Sequence, residues 1–203
     1  MNEFNTEEPM LEDGEAVKTK DKPTKSRMSA FYEALEIIAI ALMVVIMINL
    51  FVGRMMTVSG DSMYPTLHNT EKIWISNLGY TPQNGDIVVV QERNSALNDP
   101  IVKRVIATEN QNVRFDFENW KVYVDGKELS EDYINYEDGC AMKSYGCPEE
   151  LTVPPGCIFV MGDNRNHSTD SRDARVSFIS EDDVLGKVVL RIFPLNKFGA
   201  VND

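Results

Sequence analysis

One serine, one lysine and one polar segment hold the chemistry this sequence could perform. Ser62 lies in Ser59-Gly-Asp-Ser-Met-Tyr-Pro-Thr-Leu67. In such a turn Gly60 lets the backbone come close to a substrate carbonyl, and Pro65 fixes the exit. A serine hydroxyl is a weak nucleophile until a base takes its proton. About forty residues later, Pro100-Ile-Val-Lys-Arg104 sets Lys103 among apolar neighbours. A free lysine is protonated at neutral pH, but burial penalises the charged form and lowers its pKa. On a strand, Ile101, Lys103 and Val105 share one face, while Val102 and Arg104 take the other. On spacing alone, a solvated strand lysine is the simpler reading. The third feature is Gly162-Asp-Asn-Arg-Asn-His-Ser-Thr-Asp-Ser-Arg172. Asp163, Asn164 and Arg165 are expected to brace this loop, with Ser168 and Asp170 pointing inward. A turn that satisfies only its own side chains is the plainer alternative.

A histidine is the rival base. The chain has two, His68 and His167. A Ser-His-Asp arrangement needs one of them within hydrogen-bond reach of the hydroxyl. His68 is six residues from Ser62 in what reads as a loop, and His167 sits inside the polar segment. The Ser62 turn is not G-x-S-x-G, because position 64 is Tyr, so a hydrolase elbow is not supported.

These residues need elements to position them. Residues 1–30 are polar, with acidic pairs at Glu7-Glu8 and Glu12-Asp13, and read as a disordered cytoplasmic tail. Residues 31–53 read as a transmembrane anchor. Within them Ala34–Val52 is almost wholly apolar and, at 1.5 Å per residue, spans roughly the 30 Å hydrocarbon core of a bilayer. A cleaved signal peptide has a shorter apolar segment and a small-residue cleavage site, whereas this run ends in Val52-Gly-Arg-Met. Lys18, Lys20, Lys22, Lys25 and Arg27 precede it and only Arg54 follows closely. That asymmetry keeps the N-terminus cytoplasmic and places residues 54–203 outside the cell membrane.

Residues 54–203 read as β. Ile73–Ile75, Asp86–Val90, Ile101–Ala107, Cys157–Met161 and Val184–Phe193 are short β-rich runs bounded by turns. Asp125-Gly126 between apolar segments predicts a hairpin over Val122–Leu129. No helical period of useful length follows residue 55. Glu131–Glu150 reads as a polar surface excursion, a poor place for catalysis. The fold expected is therefore mainly β: an antiparallel β catalytic domain behind a single N-terminal transmembrane helix.

The formal net charge is −12, which opposes nucleic acid as a partner. No Cys-x-x-Cys pair or His/Cys cluster suggests a metal site. Cys140, Cys147 and Cys157 allow at most one internal bridge. A Cys140–Cys147 disulfide and three reduced cysteines are both open readings.

Taken together, Ser59–Leu67, Ile101–Arg104 and Gly162–Arg172 resemble, in type, order and spacing, the sequence boxes of bacterial type I (leader) signal peptidases. The resemblance covers roughly residues 30–195. It implies a membrane-bound serine endopeptidase that cleaves signal peptides from exported preproteins through a Ser/Lys dyad and an acyl-enzyme, without metal or cofactor. Its partners would be those preproteins and the lipid bilayer. By resemblance, Ser62 is the nucleophile and Lys103 the general base, Ser168 orients the lysine, and Asp170 and Arg172 form an ion pair that holds the loop. Val58, Met63, Leu67, Ile101 and Val102 occupy positions resembling the walls of small-residue pockets. Where some relatives have a serine hydroxyl that helps the oxyanion hole, this chain has Gly60, so the hole rests on backbone N–H groups, that of Ser62 included. Ser177 stands where the family often has glycine. A relative specialised for one substrate class such as pilin precursors, and a catalytically silent membrane-tethered β binding module, are the alternatives. The self-cleaving SOS repressors share a Ser/Lys dyad, but they bind DNA and lack an anchor.

Overall fold

The computed structural model describes residues 27–51, 53–91 and 99–201. The chain divides into two units, residues 1–42 and 43–203. Helix α1 spans Arg27–Phe51 and begins four residues inside the segment expected to be tail. Within it Met28–Met47 is long and apolar enough to cross a membrane. Apolar side chains cover it all round, with Ile37, Leu42 and Met43 each more than half exposed, as a lipid-facing helix requires. The lysines expected to set the orientation, and the tail up to residue 26, lie outside the described residues.

The second unit is antiparallel β. Its strands are β1 (Arg54–Thr57), β2 (Lys72–Ser76), β3 (Ile87–Val90), β4 (Ile101–Ala107), β5 (Asn112–Asp116), β6 (Lys121–Val124), β7 (Lys127–Glu128), β8 (Glu150–Thr152), β9 (Cys157–Met161), β10 (Ile179–Ser180), β11 (Val184–Phe193) and β12 (Gly199–Ala200). The large sheet has the order β1-β2-β11-β3-β4-β9-β10, with β12 on β11; a smaller sheet has the order β7-β6-β5-β8. The expected hairpin is present: Val124 pairs with Lys127, and Asp125 and Gly126 both have positive φ, at 52° and 80°. That is the backbone a two-residue hairpin turn demands. Strands β5 and β8, which pair with each other, were not expected.

Alternation along the strands divides the large sheet between two cores. On β3, Ile87 and Val89 pack with Ile73, Ile75 and Val188, whereas Val88 and Val90 pack with Val105, Ile158 and Val160. On β4, Val102 joins the first core and Ile101 the second, as a period of two requires. Each buried Val or Ile contributes about 1.5–3 kcal/mol. Register shifts on β11 at Val184/Gly186 and Val188/Leu190 bend it, so its first half pairs with β3 and its second with β2. A third core joins the smaller sheet to Ile106, Phe159 and Met161 and takes in Met142 and Trp120.

Ser177 has φ 54°, in the left-handed region where glycine is at home. Holding a serine there costs about 1 kcal/mol, which explains why a glycine would suit this turn. Cys140, Cys147 and Cys157 are free thiols in this structure.

Candidate active site

The turn bearing Ser62 is pinned from below. Met63 and Leu67 are 1% and 0% exposed, and the Leu67 N–H donates to the Met63 carbonyl at 2.8 Å. This local bond and the two buried anchors force Ser62, between Asp61 and Met63, toward the partly exposed side. Gly60 takes φ 83° at the entry to the turn.

Lys103 projects from β4 with only 3% of its surface exposed. Its Nζ lies 2.7 Å from Ser62 Oγ and 3.1 Å from the Val102 carbonyl. Burial is the main cause that pushes its pKa down, to about 8. The Asp170 and Asp163 carboxylates oppose that shift and the Arg172 guanidinium adds to it. The amine is thus neutral in a useful fraction of molecules near neutral pH, and it already touches the hydroxyl.

The polar loop packs behind this pair. Asp170 and Arg172, both essentially fully buried, form an ion pair through Asp170 Oδ1 and Oδ2, each at 2.9 Å. Burial alone would raise the Asp170 pKa, but the Arg172 guanidinium outweighs it and holds the carboxyl below its ordinary range. Asp170 Oδ2 also accepts the Gly162 N–H at 3.0 Å. A second buried pair joins Asp163 to Arg104 of β4 through two 2.9 Å bonds. Thr66 of the Ser62 turn donates to that same Asp163 at 2.5 Å. A two-pronged Arg–carboxylate pair fixes direction as well as distance. Asp163 therefore ties the turn bearing Ser62 to the strand bearing Lys103.

Ser168 differs from expectation. It is 3% exposed, but its hydroxyl has no partner of good hydrogen-bond geometry, and the lysine reaches Ser62 and the Val102 carbonyl instead. The Ser168 hydroxyl is nonetheless near enough to Asp170 to favour its ionised form. Gly162 explains the crowding. A Cβ added there would collide with the Ser168 hydroxyl and the Ser62 carbonyl, and would come within 2.6 Å of Ser168 Cβ. Gly162→Ala is expected to lower kcat by about 100-fold, because a shift near 1 Å at reacting groups costs that much. It should cost about 1–3 kcal/mol of stability through overpacking. Steady-state kinetics and a thermal melt check both; wild-type kcat would refute the close packing inferred for this glycine.

Of the five residues expected at pocket walls, Met63 and Leu67 lie wholly within the core and Val58 is 3% exposed. These three present almost no surface, because the turn uses them as anchors. Ile101 and Val102 are half-buried and keep accessible surface. The oxyanion candidates also part company. The Gly60 N–H donates to Asn69 Oδ1 at 3.1 Å, whereas the Ser62 N–H donates to no described group.

Neither histidine meets Ser62. His68 Nδ1 lies 3.5 Å from Glu71 Oε1, and exposed His167 pairs with Glu137 at 2.8 Å.

The excursion after residue 130 is not the idle surface segment it reads as. Glu131 pairs with fully buried Arg165, Asn135 bonds Asn164, the Lys143 N–H donates to Asn166, and the Lys143 carbonyl accepts from Arg172. The Arg104 guanidinium sits over the Tyr133 ring, with Cζ 3.7 Å from the ring centroid. This segment clamps the polar loop from outside. Its overall polarity hid that; Ile134, Met142 and Cys147, which pack on the third core, were the apolar signals it carried.

Residues 31–193 match the sequence model of the signal peptidase, peptidase S26 family. The chain belongs to that family. A probable signal peptidase I-1 of Synechocystis sp. is 32% identical over 189 residues, covering 89% of this chain and 91% of that protein. Signal peptidase IB of Staphylococcus aureus strain Mu50 is 32% identical over 176 residues, covering 79% and 88%. A solved signal peptidase I from Enterococcus faecalis V583 is 28% identical, with a TM-score of 0.45 over 54% of this chain and 98% of that chain. This S26 member is accordingly a serine peptidase of the signal-peptide-processing class.

Proposed function

We propose that Ser62 and Lys103 carry this activity as nucleophile and general base. The observation that supports the reading most is the 2.7 Å contact between Ser62 Oγ and a buried amine whose pKa is pushed down to about 8. In the first step Ser62 Oγ attacks the scissile carbonyl and its proton passes to Lys103 Nζ. The resulting ammonium then protonates the departing amine, which becomes the mature N-terminus, and the signal peptide remains as an ester on Ser62. Water attacks that ester, again giving a proton to Lys103, and the released serine regains its hydrogen. Extended substrate would lie beside Ile101 and Val102, with small side chains before the cut; Asp170 and Arg172 hold the loop behind.

The chain is organised, on this reading, as a cytoplasmic tail over residues 1–30, one transmembrane anchor over 31–53, and an extracytoplasmic peptidase domain over 54–203. The basic residues before α1 and the scarcity of basic residues just after it support that orientation. Ser62 then follows the end of the anchor by nine residues in the chain, on the side to which preproteins are exported.

The test is cleavage of a preprotein in lipid vesicles across pH 6 to 10. With a base of pKa about 8, kcat/KM should rise about tenfold per pH unit at the acid end and level off above pH 8. Ser62→Ala should be inactive, and His68→Ala and His167→Ala should keep most activity. A dead histidine variant beside an active Lys103 variant would overturn the dyad.

A further inference from the structure

We propose that Asn164, itself held by Asn135, is a positioning residue that aims the Ser62 N–H at the oxyanion of the tetrahedral intermediate. The inference rests on Ser62 being the nucleophile, as above, and goes beyond it by assigning what orients the oxyanion donor.

With Gly60 in place, no side-chain hydroxyl at that position is available to meet the oxyanion, and the Gly60 N–H is already engaged by Asn69. The Ser62 N–H remains, and its direction is set by the peptide unit it belongs to. That unit joins Asp61 to Ser62 and is trans, so its carbonyl and its N–H point in opposite directions. Whatever grips the Asp61 carbonyl therefore aims the Ser62 N–H. Two donors do so: the Tyr64 backbone N–H at 3.1 Å, within the turn itself, and Asn164 Nδ2, also at 3.1 Å, which is the side chain that ties this carbonyl to the polar loop. The Asn164 backbone N–H also donates to the Ser62 carbonyl at 3.0 Å, which fixes the next peptide unit as well. One residue thus holds the peptides on both sides of the Ser62 Cα.

An asparagine amide can turn over and present its oxygen instead, which would repel the Asp61 carbonyl. Asn135 prevents that. Its Nδ2 donates to Asn164 Oδ1 at 3.1 Å, leaving Asn164 Nδ2 for Asp61. The Asn135 backbone N–H donates to the Asp163 carbonyl at 3.0 Å, which keeps it beside the loop. Asn164 is only 7% exposed, so water has little access with which to replace these bonds. The relay runs from Asn135 through Asn164 to the Asp61 carbonyl, and ends at a hydrogen pointing away from all three.

The experiment uses the full chain in lipid vesicles with a preprotein substrate. Losing an oxyanion donor outright costs roughly 10²–10³ in kcat. A donor that is loosened keeps part of its effect, so Asn164→Ala should lower kcat by roughly 10–100-fold and Asn135→Ala by roughly 3–10-fold. KM should stay within about twofold, and the acid limb of the pH profile should not move, because neither residue touches Lys103. Affinity for a peptide boronic acid, which forms a tetrahedral adduct on Ser62 Oγ, should fall in parallel with kcat, while affinity for an uncleavable peptide stays constant. The double variant should be no worse than Asn164→Ala alone, since the two act in series. Wild-type kcat in both variants, or a loss shared equally by the uncleavable peptide and the boronic acid, would overturn the assignment. Should wild type itself fail to cleave while Asn164→Ala matches it in every binding measurement, the fault lies with the dyad reading instead.

Discussion

Replacing Lys103 with methionine is expected to lower cleavage by roughly 10⁴-fold or more, because Ser62 then has no base. The same substitution should change how stability depends on pH. In the unfolded chain the amine stays protonated up to its ordinary pKa of 10.5; in the folded chain it loses its proton above about 8. Folding therefore releases a proton between these values. Wild-type stability rises with pH through this window, and the contribution is lost as pH falls through 8. The span corresponds to about 3 kcal/mol. Methionine has a similar length and no proton to release. The stability of Lys103→Met relative to wild type should thus fall by about 3 kcal/mol between pH 7 and 10.5. The hydrogen bonds lost with the amine offset both ends equally and do not affect the difference. Denaturant melts at a series of pH values measure it, and parallel pH dependences for the two proteins would mean that the amine is not desolvated.

The second large effect is expected at Asp170. Asp170→Asn leaves the Arg172 guanidinium buried without a counter-charge, at a cost of about 3–5 kcal/mol. In a domain of this size each kcal/mol lowers Tm by about 2–4 °C, so the melting point should fall by at least several degrees. Activity should respond in an unexpected direction on one axis. The Asp170 charge raises the Lys103 pKa, while the Arg172 charge lowers it. Removing the first and keeping the second should move the acid limb of the rate profile to lower pH. The plateau kcat should still drop, since the Gly162 N–H loses its carboxylate partner. Replacing Arg172 with methionine in the same chain should recover part of the stability. A profile displaced toward alkaline pH, or an unchanged Tm, would contradict this account of the ion pair.

Much of the architecture was legible where local chemistry decides it. The Asp125-Gly126 turn and the β-branched runs of β3, β4 and β11 form because few other backbones suit those residues. Strand β8 was not legible: three residues beside a Gly- and Pro-containing stretch carry no pattern, and they become a strand only by pairing with β5. The site divides in the same way. Ser62, Lys103 and the polar loop stood out as motifs. Their bonding did not, because the ties cross long stretches of chain: Asp163 to Arg104, Asn164 to Asp61, Lys143 to Arg172. Met63 and Leu67 show the limit from the other side. Their apolar character fits a pocket wall and a core anchor equally, and only the packing of Ile73, Val89 and Val188 around them separates the two.

The sheet order carries a consequence for how the domain closes. The turn bearing Ser62 is connected to β2, and Lys103 stands on β4 next to β3, yet β2 and β3 are not neighbours: β11 lies between them. β11, which follows both in the chain, is thus the wedge that joins the two halves of the sheet. Without residues 184–193 no continuous sheet would run from β2 to β4, and the Ser62 turn would be left tied to β4 through Asp163 and its bonds to Thr66 and Arg104. Such long-range closure is slow compared with local turns and hairpins. The two halves of the sheet therefore become continuous only once β11 has paired with both β2 and β3.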